Sequence, residues 1–290
     1  MSQSLLHTDD GVKQLLLPAL TQASAPLTSE IVAINEFGEP TTVSIPAERA
    51  LTLYVDKREL VTLMTLGAHP ELLVLGYLLN QRLITSAHQI ESITVDWEVG
   101  AAAVNTYGGI VDIEVKTAKR VVTTGCGQGS VFGDMMGEID TIRLPDASLT
   151  QTQLHNIVNA IRIKESTYKS AGSVHACALF QGDALLTFVE DVGRHNAIDT
   201  IAGWMAMQTD MVSADKVFYT TGRLTSEMVI KSAQMGVPIV VSRSGITQMG
   251  QSIATRLGLC AIGRATNRRF LIYSGAHRLL LQNSEATAEQ

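Results

Sequence analysis

Cys126 stands in Val-Val-Thr-Thr-Gly-Cys-Gly-Gln-Gly-Ser, residues 121–130. Glycines at 125, 127 and 129 strip side-chain bulk from around the sulfur and permit unusual backbone angles. A reactive or ligand-bearing thiol needs such access, and a thiolate is the form that would react. The residues leave two readings open: a nucleophile presented between Gly125 and Gly127, or a glycine-rich loop that holds a cysteine by chance.

A second group lies downstream. Thr220-Thr221-Gly222-Arg223-Leu224-Thr225 and Ser242-Arg243-Ser244-Gly245-Ile246-Thr247 share a composition of one glycine, one arginine and several hydroxyls. Each falls between an apolar run and a helical pattern. A helix start offers unpaired N–H groups and the positive end of the dipole, which suit phosphate. Neither turn matches a Walker A or G-x-G-x-x-G pattern. Both lie close to or within Met228–Ser284, a stretch without Asp or Glu that carries Lys231, Arg243, Arg256, Arg264, Arg268, Arg269 and Arg278. In a chain of net charge −6 this points to a local anion site, with chance clustering of surface charge as the alternative.

Between the cysteine and the turns lies Glu-Asp-Val-Gly-Arg-His-Asn-Ala-Ile-Asp, residues 190–199. Asp191, Arg194 and His195 around Gly193 read either as a polar loop that holds a ligand or as a helix-capping cluster with internal ion pairs. His175 and Cys177 share a strand face, but two donors without a C-x-x-C do not make a zinc site. No metal is expected.

The elements that must position these residues follow from periodicity. Residues 1–27 read as a loose leader, 28–150 as a smaller α+β domain bearing the Cys126 loop, and 151–290 as an α/β domain. Alternating segments over 31–43 and 51–60 predict antiparallel strands. Pro70 opens a helix with Leu72, Leu75, Gly76 and Leu79 on one face. Strands are predicted at 90–97, 110–115 and 121–124, and a helix over 150–164. A hairpin follows at 174–180 and 184–189. Asn196 is the expected cap of the next helix. Strands at 216–219 and 238–241, each followed by a turn and a helix (226–235, 248–257), then strands at 259–263 and 269–273, imply parallel pairing in a layered α/β arrangement.

Composition narrows the classes. The acidic balance argues against bulk nucleic-acid binding. No apolar run is long enough to span a membrane, and no secretory signal is read at the start. Three cysteines at 126, 177 and 260 do not form a disulfide framework, so a reducing cytoplasm is expected.

In order, Gly-Cys-Gly (125–127), Gly-x-x-His-Ala (172–176), Glu-Asp-Val-Gly-Arg-His-Asn-Ala (190–197), Thr-Gly-Arg (221–223), Ser-Glu-Met-Val-x-Lys-Ser-Ala (226–233) and Val-Ser-Arg-Ser-Gly-x-Thr (241–247) resemble the formate dehydrogenase accessory sulfurtransferase (FdhD) family, from about Ile31 to Arg278. The resemblance implies a cytidine-deaminase-like layered α/β/α fold with a mixed sheet, and a homodimer. It implies a sulfur carrier that takes persulfide sulfur from a cysteine desulfurase onto Cys126. The sulfur then passes to the bis(molybdopterin guanine dinucleotide) molybdenum cofactor of formate dehydrogenase, bound as cargo. The family's guanine dinucleotide stretch matches Phe270-Leu271-Ile272-Tyr273-Ser274-Gly275, with the turns at Thr221, Gly222, Arg223, Ser242, Arg243, Ser244 and Gly245 as further contacts. The deaminase zinc signature is absent. Many members carry Cys-Gly-x-Cys, whereas Gly129 stands at the second cysteine position here, so this loop has no two-cysteine relay. The alternative is a chaperone that holds the cofactor for formate dehydrogenase without transferring sulfur.

Overall fold

The computed structural model describes residues 16–111, 113–114, 121–122, 129–130, 139–164, 166–209 and 215–282. Its first half runs Ala19–Leu20 (β1), Thr28–Ile34 (β2), Pro40–Pro46 (β3), Arg49–Val55 (β4), Arg58–Thr65 (β5), Pro70–Asn80 (α1), Ile90–Asp96 (β6) and Ala101–Thr106 (β7). Val121–Val122 (β8) pairs with Gly129–Ser130 (β9). The second half runs Leu149–Thr150 (β10), Gln151–Ile163 (α2), Thr167–Ala171 (α3), His175–Gln181 (β11), Ala184–Asp191 (β12), Arg194–Ala206 (α4) and Lys216–Thr220 (β13). It closes with Ser226–Gln234 (α5), Ile239–Ser242 (β14), Gln248–Leu257 (α6), Cys260–Thr266 (β15), Arg269–Ser274 (β16) and Leu279–Leu280 (β17).

The first half builds a five-stranded sheet ordered β1-β6-β7-β4-β5. Its tight hairpin, β4 to β5, turns through Asp56 and Lys57, both with positive φ, as a two-residue primed turn requires. Period-two alternation buries Leu51, Leu53 and Val55 on β4, and Leu63 and Leu60 of β5 join them under α1 across a shift in register. Ala19–Leu20 falls inside the stretch read as a leader. The Glu71 carboxylate accepts from the Thr21 hydroxyl at 2.6 Å and the Ala23 N–H at 2.7 Å, which fixes that segment to α1.

Two expectations fail here. Residues 110–115 form no strand where they are described: Ile113 and Glu114 are helical, and the strand is the preceding Ala-Ala-Ala-Val-Asn-Thr. Alanine carries little strand signal, but β7 is stabilised by pairing on both sides, antiparallel to β6 and parallel to β4. Nor does Asn196 cap a helix. Gly193 is the N-cap of α4, and Asn196 lies inside its first turn.

The second half forms a mixed six-stranded sheet ordered β12-β11-β13-β14-β15-β16, with β13, β14 and β15 parallel as the strand–turn–helix repeat predicts. One face packs on α4, α5 and α6 through Ile198, Met228 and Ile253, and the other on α2 through Leu154, Ile157 and Val158. This is the expected α/β/α layering. Helix α2 starts from a capping box between Thr150 and Gln153.

The two sheets are joined where α1 crosses α4. A Cβ on Gly76 would lie 1.6 Å from the Asp199 carbonyl oxygen, and one on Gly203 would lie 2.0 Å from that of Leu72. Backbone therefore meets backbone, and no side chain fits between. Gly203→Ala is expected to cost about 3 kcal/mol or more, because the overpacking falls on main chain that cannot turn aside. Urea unfolding checks this. A loss under about 1 kcal/mol would contradict the crossing.

Candidate functional site

Strands β13 and β14 end side by side at Thr220 and Ser242, so the two arginine-bearing turns emerge together at the carboxyl end of the parallel strands. They are bonded to each other. The Arg243 N–H donates to the Thr220 carbonyl at 3.0 Å, and the Leu224 N–H to that of Gly245 at 3.0 Å. The Ser242 hydroxyl donates to the Gly222 carbonyl at 2.7 Å and accepts from the Ser244 N–H at 2.9 Å. The Gly222 N–H is taken by the Thr220 hydroxyl at 3.0 Å. These N–H groups are committed to protein acceptors, so the turns differ from an open phosphate cradle. What they present is side chains.

Thr221 and Arg243 project into a pocket of about 270 Å³. Its walls include Arg162 and Lys164 at the end of α2, Tyr168 and Lys169 on α3, Phe188 on β12 and Tyr219 on β13. Lys164 lies 5.0 Å from the Phe188 ring centroid, within cation–π range. The acid in the lining is Glu190, and its carboxylate already accepts from the Thr167 and Tyr168 N–H groups at 2.6 and 3.1 Å. The pocket is thus basic and aromatic-walled, suited to an anion that carries a planar ring.

Behind the turns the 190–199 string is buried and structural. Asp191 accepts from the Thr65 hydroxyl, from the Leu66 N–H at 3.0 Å, the Gly193 N–H at 2.9 Å and the Asn196 amide at 2.8 Å. It ties the end of β5 to the start of α4. Burial raises its carboxyl above the ordinary range, against the lowering effect of those bonds. The Arg194 side chain lies against Gly222, where an added Cβ would come 2.9 Å from its Cδ. His175 is half-buried, and burial, then Arg194 and Arg223, hold its imidazole below its usual value. His195 Nδ1 lies 3.5 Å from Glu227, and burial lowers its pKa to about 3.

One cluster escaped sequence reasoning. Lys231, 0% exposed, places its ammonium 2.9 Å from Asp199 and 3.4 Å from Glu227. Asn80 of α1 donates to the same Asp199 at 2.7 Å. Burial alone would depress the lysine, but the two carboxylates outweigh it and raise its pKa, so it is charged. The i, i+4 spacing of Glu227 and Lys231 was visible, but their burial was not. Arg162, Lys164 and Lys169 were also missed, because a basic residue late in a helix reads as ordinary dipole compensation.

The stretch Phe270–Gly275 lies on the outer strand. Phe270 and Ile272 turn toward α2, while Leu271 is exposed. Tyr273 packs on Gly263 of β15, where a Cβ would come 2.7 Å from its ring and 2.9 Å from the Ser244 carbonyl, so it is β15 that abuts the second turn. The Ser274 hydroxyl donates to the Leu259 carbonyl at 2.7 Å. Gly275, at φ +63°, would press a Cβ to 2.7 Å from the Cys260 backbone.

Cys177 and Cys260 are buried, and burial pushes both thiols up to about 12. Neither supplies a thiolate near neutral pH. Among the described residues no group of three His, Cys, Asp or Glu side chains is arranged to hold a metal ion, and no helix is long and apolar enough to cross a membrane. Cys126, Gly125 and Gly127 lie outside the described residues. In sequence they fall between Val122 and Gly129, whose backbones pair.

A family model described as the FdhD/NarQ family matches residues 46–280. A relative named sulfur carrier protein FdhD, from Staphylococcus haemolyticus strain JCSC1435, is 29% identical over 242 residues, covering 82% of this chain and 90% of its own. Its counterpart from Staphylococcus aureus strain MRSA252 is 29% identical over 241 residues, covering 83% and 91%. A crystal structure titled as a formate dehydrogenase accessory protein, from Desulfotalea psychrophila, superposes with a TM-score of 0.70. It is 24% identical, over 88% of this chain and 100% of that one, and the likeness is one of fold.

The buried charges make two expectations. Lys231→Met strands two carboxylates and should cost about 3–5 kcal/mol in urea unfolding, with part recovered on adding Asp199→Asn. Unchanged stability of Lys231→Met would contradict the cluster. His195 is neutral in the fold but protonates near 6.5 when unfolded, so acid favours the unfolded chain. Its share of stability is full above pH 6.5 and is lost as pH falls toward about 3. Stability should therefore fall less steeply between those limits in His195→Gln than in the parent chain, and equal slopes would count against a buried neutral imidazole.

Proposed function

The chain belongs to the FdhD/NarQ family, a family of sulfur carriers associated with formate dehydrogenase, and we propose that it carries persulfide sulfur on Cys126 to a molybdenum cofactor whose guanine dinucleotide end occupies the basic pocket. The observation that carries the first half is the state of the other thiols. Of the three cysteines, Cys177 and Cys260 are packed into the sheet with thiols at about 12. Sulfur exchange needs thiolate, which leaves Cys126.

In this reading the Cys126 thiolate attacks the outer sulfur of a persulfide on a cysteine desulfurase. One S–S bond forms on Cys126 as the other breaks, and the desulfurase cysteine leaves as thiolate. Two electrons stay with each sulfur exchanged, so no oxidant is needed. With Gly129 at the second position, no neighbouring cysteine resolves the persulfide, and the sulfur stays on Cys126 until delivery.

The molybdenum cofactor is cargo rather than a resident group. Its guanine dinucleotide ends combine pyrophosphate with a planar base. Arg162, Lys164, Lys169 and Arg243 supply positive charge for the first, and Tyr168, Phe188 and Tyr219 supply flat surface for the second. Tyr273 packs on the other face of the sheet, with the core under α4, α5 and α6, and does not line the pocket. The residues present fit the group. The family resemblance further implies action as a homodimer in the cytoplasm.

Intact mass after incubation with desulfurase and cysteine tests the carrier. One added sulfur is expected on the parent chain, on Cys177→Ala and on Cys260→Ala, and none on Cys126→Ser. A stable adduct on Cys126→Ser would sink the proposal. Formate dehydrogenase still activated by Cys126→Ala would point to a chaperone instead. Guanosine diphosphate should bind about tenfold more weakly to Arg243→Ala or Lys164→Ala, since a charge-assisted contact is worth about 1.5–3 kcal/mol. Arg256→Ala, whose guanidinium pairs with Asp140 away from the pocket, should bind as the parent does.

A further inference from the structure

The basic pocket opens where the middle one of three strands carries small side chains. On the face toward α2, β11 offers only the methyls of Ala176 and Ala178. Ala178 stands in register between Phe188 of β12 and Tyr219 of β13. Two residues along, Ala176 pairs with Glu190, and its carbonyl accepts the Thr221 N–H at 2.9 Å. Aromatic rings therefore flank the gap, with a carboxylate and a hydroxyl next along the strands. The hydroxyl is already engaged, since it accepts from the Ala176 N–H at 3.0 Å.

Glu190 is different. It is 8% exposed and is the one carboxylate among the described residues that line the pocket, beside Arg162, Lys164, Lys169 and Arg243. An acid in a phosphate site opposes the charge of the ligand, so its place here calls for another role in binding. Holding α3 does not exhaust it. Oε2 accepts from the Thr167 N–H at 2.6 Å and Oε1 from the Tyr168 N–H at 3.1 Å, one donor on each oxygen. A carboxylate oxygen can accept two, so one lone pair remains on each. The two main-chain bonds also hold the carboxylate in one orientation, as a recognition group requires.

We infer that Glu190 selects the base, accepting the N1–H and the 2-amino group of guanine, one on each oxygen. The inference rests on the reading of this pocket as the guanine dinucleotide site, and adds the residue that tells guanine from other bases. Of the common bases, guanine alone sets two N–H donors side by side on the edge used for pairing. Adenine turns a ring lone pair toward the same carboxylate and offers one donor. A bidentate pair with a charged acceptor is strong, and a site built to receive two donors rejects a base that lacks them. The cations then serve the phosphates, and the single acid serves the base.

Isothermal titration calorimetry on the full chain tests it, with guanosine, inosine, adenosine and xanthosine diphosphates as probes. Inosine diphosphate keeps N1–H but lacks the 2-amino group, and should bind about tenfold more weakly than guanosine diphosphate. Adenosine diphosphate should bind about a hundredfold more weakly. Glu190→Gln puts an amide donor where one oxygen stood. It should weaken guanosine diphosphate about tenfold and tighten xanthosine diphosphate, whose 2-carbonyl meets that donor, by about the same factor. A residue that only supports α3 would, when replaced, weaken all four probes alike, and that outcome overturns the inference. So does equal binding of guanosine, inosine and adenosine diphosphates by the parent chain. Either result leaves the pocket standing as a phosphate site. No binding of any diphosphate by the parent chain would instead overturn the reading of the pocket, and this inference with it.

Discussion

Where α1 crosses α4, backbone meets backbone, and the rest of the structure depends on that contact. Gly76 lies against the carbonyl of Asp199, and Gly203 lies against that of Leu72. Helix α1 carries the five-stranded sheet and α4 carries the six-stranded one, so the crossing sets the distance between the two cores. At this separation Asn80 reaches Asp199, and Asp199 reaches Lys231 on α5. A wider crossing would leave a buried carboxylate and a buried ammonium without their full set of partners, at a cost of several kcal/mol.

The buried charges and the pocket charges do different work. Asp191, Asp199, Glu227 and Lys231 are spent on one another and on nearby main chain, tying β5, α1, α4 and α5 together. Arg194, at the start of α4, meets the first turn at Gly222. The turns, zipped to each other, then offer Thr221 and Arg243 outward to a pocket whose other cations come from α2 and α3. Charge that is fully paired stabilises geometry, and charge left at a surface remains available to a ligand.

Much of this was legible from residue order alone. The strand–turn–helix repeat after residue 215 predicted the parallel β13, β14 and β15, and the hairpin around Gly182 was found where its turn residues placed it. The alanine-rich β7 was not legible, because its stability comes from pairing on both sides, with the preceding β6 and with β4, which is distant in sequence. Asn196 looked like a cap because its type favours helix starts, yet its amide bonds Asp191 and the Met64 carbonyl. The matched turns suggested backbone N–H groups aimed at phosphate. In the fold those groups bond the opposite turn or side chains of their own.

The chain by itself determined the alternation of elements, the acid-free basic stretch, the family to which the motifs belong and the single cysteine among glycines. Those are local or compositional properties, carried by residue types and their spacing. Only the tertiary structure decided which charges are buried and paired, which two cysteines are sealed in the sheet, and that α2 and α3 bring their basic residues to the mouth of the turns. Burial and pairing depend on contacts between residues far apart in sequence, and a pKa follows from those surroundings rather than from the residue type.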